Sequence, residues 1–151
     1  MAPTLTAEQA LRQWRTDDPD RVIGRGHPIG DRLDAWDWRV LERESGRLRV
    51  RARLPDHLKN PRGQLFGGYT GTYVDFFALH VTHTTWDDSD GIRWQQTANL
   101  RIDYFAPIEG PEFEMQGEIL NQSARTNFVE VRFLCGDSLA AVAQVTLIAE
   151  R

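Results

Sequence analysis

The chain is poor in the features that would tie it to membranes, secretion or nucleic acid. It has one cysteine in 151 residues, Cys135, which excludes an internal disulfide and suits a reducing compartment. No apolar run approaches the roughly 20 residues needed to span a bilayer. The first residues show no basic-then-apolar export pattern, so a cytoplasmic protein with no membrane partner is the expectation. Positive charge is not in excess: 18 basic against 22 acidic residues give a net charge of −4, which argues against nucleic-acid binding. The charge is uneven, because residues 1–62 hold 13 of the basic and 10 of the acidic residues, a local +3 that leaves −7 for the remainder. There is no repeat, linker or low-complexity tract, and the length suits one domain with a substantial core.

The chain does carry clear periodicities. Residues 7–16 predict a short helix, with Thr6 as its cap and Ala10, Leu11 and Trp14 as its apolar side. Asp17 to Asp31 is rich in Gly, Pro and charge and predicts a surface loop. Ala35 to Glu44 alternates, with Trp36 and Trp38 on one face, and predicts a strand. After the Ser45-Gly46 turn, Arg47 to Leu54 alternates strictly: Leu48, Val50, Ala52 and Leu54 face one way and Arg47, Arg49, Arg51 and Arg53 the other. These two segments predict a hairpin.

Gly68 to about Thr85 is full of β-branched residues, which are weak helix formers. Its pattern still predicts a helix, because Tyr73, Val74, Phe77, Ala78 and Val81 fall on one stripe. Such a helix must be held by burial. An acidic run, Asp87 to Gly91, ends it. Four more strands are predicted, over 94–105, 112–121, 127–134 and 140–148, with short connections that suit antiparallel neighbours. The expected fold class is α+β, a long antiparallel sheet wrapped around one central helix.

The stretch Asn60 to Asp75 reads N-P-R-G-Q-L-F-G-G-Y-T-G-T-Y-V-D. A turn ends in Gly67-Gly68, a helix begins at once, and a lone carboxylate sits about two turns into it. Paired glycines admit a ligand close to the backbone. A helix start offers unpaired N–H groups and a positive dipole end. Asp75 lies off the apolar stripe, on a side shared with Gly68, Gly71, Leu79 and Thr82, where small residues leave room above a carboxylate. Together these parts could polarise a carbonyl and deliver an attack on it.

This segment and the element order resemble the hotdog-fold acyl-CoA thioesterases, in particular the phenylacetate-pathway (PaaI-like) branch of the 4-hydroxybenzoyl-CoA thioesterase superfamily. The resemblance covers roughly residues 34–150. It rests on Asn60, Pro61, Gly63, Phe66-Gly67-Gly68 and Asp75 at the family's spacings, on the strand from Thr97 to Tyr104-x-x-Pro107, and on the closing strand from Ala140. It implies a hotdog thioesterase domain over 34–151, preceded by an N-terminal helix and loop over 1–33. It also implies acyl-CoA or acyl-carrier thioester hydrolysis. Asp75 would be the base or the nucleophile, and the Gly67 amide the oxyanion donor. Asn60 would bond the thioester or the water, and Thr97 would orient the water. Phe66, Gly68 and Arg125 would bind substrate, Arg125 through the coenzyme A phosphates. No metal or organic cofactor is implied, because coenzyme A arrives with the substrate. The implied partner is a second copy of the chain, in a homodimer or in a tetramer of two such dimers, with Gly67 of one copy facing Asp75 of the other.

Phe66 departs from the family, where most members carry histidine, and a phenylalanine cannot donate a hydrogen bond. Two other readings stand beside hydrolysis: a non-hydrolysing acyl-thioester-binding protein, which Phe66 motivates, and a hotdog hydratase or dehydratase, which would need His80 to reach substrate. Asn60 is also a good turn former, and Thr97 also a good strand residue. His80 and His83 lack further ligands at metal-site spacing and predict ordinary packing. The arginine stripe of residues 47–53 admits docking of an acidic carrier protein or, more plainly, a solvated sheet face.

Overall fold

The computed structural model describes residues 6–87 and 93–149. Helices α1 (Ala7–Trp14) and α2 (Pro28–Arg32) precede strands β1 (Arg39–Glu44) and β2 (Arg47–Arg53). The long helix α3 (Gly67–His83) follows. Then come β3 (Gln95–Tyr104), β4 (Glu112–Gln122), β5 (Thr126–Cys135) and β6 (Ser138–Ala149). The six strands form one antiparallel sheet in the order β1-β2-β4-β5-β6-β3. The chain thus leaves β2, crosses through α3, and re-enters the sheet at the opposite edge. No helix among the described residues is long and apolar enough to cross a membrane.

The sheet curls around α3. Tyr73, Val74, Phe77, Ala78 and Val81 are all fully buried, as their spacing predicts. Each large side chain among them contributes about 1.5–3 kcal/mol by leaving water, which offsets the poor helix propensity of its neighbours. Their partners come from the inward positions of the strands, including Leu48, Val50 and Ala52 of β2 and Val129, Val131 and Phe133 of β5. Helix α3 is buried more widely than one stripe requires. Phe76 and His80 are also buried, beneath the N-terminal segment, where the Trp14 ring stacks on His80 at 4.5 Å and 4°.

Helix α1 begins with a reciprocal cap: Gln9 N–H donates to Thr6 Oγ1 at 3.2 Å and Thr6 N–H to Gln9 Oε1 at 2.9 Å. The helix stops at Trp14, and the Ala10 and Leu11 side chains lie outside the described residues, as does the acidic run beyond Asp87. Two other expectations are corrected. The segment 17–31 is not merely a surface loop, since Val22 and Ile23 are buried in the common core and α2 forms at its end. There His27 caps α2 by accepting the Gly30 N–H at Nδ1, and Pro28 takes the first turn, where it costs no hydrogen bond. The predicted strand from Ala35 starts only at Arg39. Asp34 adopts a left-handed conformation (φ 52°) and Ala35–Asp37 form a 3-10 turn, so the two indoles diverge. Trp38 is buried against Tyr73 at 5.6 Å, whereas Trp36 lies under the Arg25 guanidinium at 3.6 Å.

Candidate active site

Strand β3 runs along α3 as the exposed edge of the sheet. Its helix-facing side chains touch α3 from one end to the other. Gln95 Oε1 accepts from Thr82 Oγ1 at 3.0 Å. Thr97 Oγ1 donates to Asp75 Oδ1. Leu100 and Ile102 lie over Gly71. Tyr104 donates its hydroxyl to the Gly67 carbonyl at 2.7 Å. Strict alternation forbids this set, because 95 and 97 are odd and 100, 102 and 104 even. A bulge between Thr97 and Asn99 resolves the conflict: Thr97 pairs with Leu147 and Asn99 with the adjacent Thr146, so Ala98 is an extra residue. The bulge turns Thr97 toward the helix carboxylate, the kind of re-aiming for which bulges recur beside active sites.

The groove between the two elements has a volume of about 560 Å³. Asp75, Thr72 and Thr97 give it a polar patch. Gly68 and Gly71 thin its wall, and Phe76, Leu79 and Leu100 make it apolar. Asp75, Thr97 and Gly68 thus meet in one place. Gly67 stands at the open start of α3, with nothing within 4 Å of where a Cβ would project. Its N–H is among the amides that a helix leaves without an internal acceptor. Gly67 and Asp75 are eight residues apart on one helix, a separation of about 12 Å. One acyl carbon cannot touch both within a single chain.

Phe66 precedes the helix and is 55% exposed, edge-on to Tyr69 at 5.9 Å. A Cβ on Gly68 would come within 3.0 Å of its ring, so the second glycine makes room for the phenylalanine. Asn60 lies outside the groove. Its Oδ1 accepts the N–H groups of Arg62 (2.9 Å) and Gln64 (3.1 Å), and Gly63 completes the turn with φ 77°. The loop is then tied down by Phe66 N–H to Leu58 O and Leu65 N–H to Ile108 O, both 2.9 Å. Asn60 therefore sets the path of the chain into the Gly67 amide.

No protein-family model and no curated protein matches this chain. Solved structures do. A phenylacetic acid degradation-related protein of Ralstonia eutropha is 19% identical, with a TM-score of 0.68 over 82% of this chain and 91% of that one. A Streptococcus mutans protein bound to acetyl-CoA is 21% identical, with a TM-score of 0.66 over 76% and 89%. Mouse thioesterase superfamily member 2 is 19% identical, with a TM-score of 0.67 over 81% and 88%. The fold is the hotdog fold.

Within this hotdog, Arg125 sits away from Asp75, at the β4–β5 turn. It lines a separate cavity of about 540 Å³ with Trp86, Arg93 and Trp94, and its guanidinium reaches the Ala149 carbonyl at 3.5 Å. The arginine stripe on β2 is largely neutralised by neighbouring strands: Arg49 pairs with Glu42 (3.4 Å) and Glu114 (3.2 Å), and Arg51 with Glu114 (3.1 Å). That lattice favours the plain sheet-face reading over a docking site.

His80 and His83 are packing residues, as their isolation predicts. His83 Nδ1 accepts the Trp14 indole N–H at 2.9 Å, and His80 lies beneath the same indole. Burial, then the charge of Arg15, brings His83 down to about 3. Burial, then the charges of His83, Arg43 and His27, holds His80 well below the usual imidazole range. Both are neutral in the folded protein, while the unfolded chain takes up protons below about pH 6.5. Stability is therefore full above that pH and falls as pH drops from about 6.5 toward 3. The slope contributed by each histidine is at most about 1.4 kcal/mol per pH unit. Urea titrations at pH 7.5, 5.5 and 4.5 should show this loss, with a shallower slope in His83→Gln; equal slopes would contradict it.

Sequence reasoning missed the N-terminal wall of the groove. Trp14, His27 and Ile29 line it from outside the span of the resemblance. The one signal available was the tryptophan on the apolar side of the short N-terminal helix.

Proposed function

We propose that the protein is an acyl-CoA (or acyl-carrier) thioesterase that works as a homodimer. The carrying observation is the Thr97–Asp75 pair at the floor of a mostly apolar groove, with an open helix-start amide on the same helix but too far away to share a substrate with it. A two-fold dimer removes the distance problem: Gly67 of one copy faces Asp75 of the other, and two equivalent sites result. The surface supports such pairing. Strand β3 is an unpaired edge, and Leu100 (40% exposed), Tyr104 (53%) and Phe105 (63%) lie along it or just beyond its end.

In this reading the thioester carbonyl oxygen points at the Gly67 N–H, where the helix dipole and the unpaired amide favour negative charge. The partner copy's carboxylate at position 75 either takes a proton from water as it attacks the acyl carbon or attacks that carbon itself. Thr97 fixes the carboxylate by donating to one oxygen, which leaves the other free. The tetrahedral intermediate collapses with loss of the coenzyme A thiolate, giving the free acid on the first route and, on the second, a mixed anhydride that water then hydrolyses. Asn60 acts as a positioning residue that shapes the loop before Gly67. Phe66 supplies a wall and no hydrogen bond, so the backbone amide carries the oxyanion. Arg125 would meet the nucleotide phosphates as a bidentate donor.

The hydratase reading needs His80 at the substrate, but that ring is buried beneath Trp14. Thiol release from a panel of aliphatic and aromatic acyl-CoAs tests the proposal. Turnover of at least one supports hydrolysis. Tight binding of every one without thiol release would instead make the protein an acyl-thioester carrier.

A further inference from the structure

The N-terminal segment closes one side of the groove with residues held too firmly to be incidental. Trp14 is fixed by four rings: it stacks on His80, tilts against Phe76 at 4.8 Å, meets His27 at 5.1 Å, and donates to His83. His27 is fixed in turn by its cap bond to Gly30 and by Phe76 at 5.7 Å. Phe76 is next to Asp75, and Leu79 lies one turn further along α3. An acyl chain that starts at the Asp75 carboxylate and follows the apolar wall therefore runs into the indole. Trp14 also lines a second cavity of about 190 Å³, with Arg21, Arg43 and His83. Trp14 thus borders two spaces.

We propose that Trp14, backed by His27 and flanked by Ile29, is the specificity-determining wall that sets the maximum acyl length, a role that rests on the thioesterase reading of the same groove. Truncating the indole lengthens the apolar space beside Phe76 and Leu79 and admits a longer chain. Enlarging Ile29, which is 44% exposed and tolerant of size, shortens the space instead.

The test compares wild type, Trp14→Ala and Ile29→Trp on hexanoyl- and dodecanoyl-CoA by kcat/KM, and on the matching S-alkyl-CoA thioethers by Kd. Circular dichroism and urea midpoints verify that each variant is folded. Trp14→Ala is expected to raise the dodecyl-to-hexyl preference about tenfold or more, and Ile29→Trp to lower it by a similar factor. If Trp14→Ala does not fold, the Ile29→Trp shift alone decides. Length ratios that stay within twofold of wild type in the folded variants overturn the proposal, as does failure of the wild type to bind either thioether. A thioether preference that shifts while no acyl-CoA is hydrolysed supports the wall and removes only the hydrolytic reading.

Discussion

Asp75→Asn is expected to lower kcat for acyl-CoA hydrolysis by about 10²–10⁴-fold, the usual worth of a positioned base. The substitution is nearly isosteric, and the amide oxygen can still accept from Thr97 Oγ1, so the floor of the groove keeps its shape. It removes the negative charge and the lone pairs needed to take a proton from water or to attack carbon. The loss should therefore fall on kcat, with the Kd of an S-alkyl-CoA thioether changed only a few-fold. The same variant disables both routes open to the carboxylate. Label found in the Asp75 side chain after a single turnover in ¹⁸O-labelled water identifies the nucleophilic route, because only water that cleaves a mixed anhydride at the aspartyl carbon leaves its oxygen there. Activity within tenfold of wild type would remove Asp75 from the chemistry.

Gly117→Ala is expected to cost about 3 kcal/mol of stability, at the upper end for an overpacked core. Gly117 lies on β4 directly beneath α3, and an added Cβ would overlap Val81 Cγ2 and come within 2.9 Å of the Phe77 ring. Both neighbours are fully buried on one helix, so neither can turn aside without moving the other. The helix must lift, and with it the carboxylate and the Gly67 amide. Urea unfolding should show the loss directly, and the melting temperature should fall by roughly 6–12 °C for a chain of this size. Val81→Ala added to Gly117→Ala should recover part of it. A cost below about 0.5 kcal/mol, the range of ordinary surface changes, would show that the helix–sheet spacing is softer than described.

These two positions were unequally legible. Asp75 was placed by helical angles alone, because its open side, Gly68, Gly71 and Leu79, follows from the spacing of the apolar stripe. Gly117 sits in an ordinary alternating strand, and nothing local says that a helix passes over it. Strand β2 was readable from strict period-two alternation, and β3 to β6 from strand-like runs set between short turn segments. The same rule misled at Trp36 and Trp38, whose spacing mimics a strand while Asp34 turns the chain. Val22, Ile23 and α2 were hidden among glycines and charges, since their burial comes from contacts distant in sequence. Thr97 was found by resemblance. The parity clash between Thr97 and Leu100 is the physical signal for its bulge, and it becomes visible only once both are known to face one helix. The Trp14 wall depends on tertiary packing and had no motif to announce it.

In the proposed dimer each site takes its amide from one copy and its carboxylate from the other, and mixing of two inactive variants reveals this. Gly67→Pro deletes the N–H at a first-turn position where proline suits a helix, and should lower kcat by about 10²–10³-fold without unfolding α3. Mixed in equal amounts with Asp75→Asn and allowed to exchange, the two inactive proteins should regain about a quarter of wild-type activity, because half the dimers are hybrids and each hybrid holds one intact site. Activity that stays at the level of the two separate variants, with exchange confirmed by mass, would contradict the shared site.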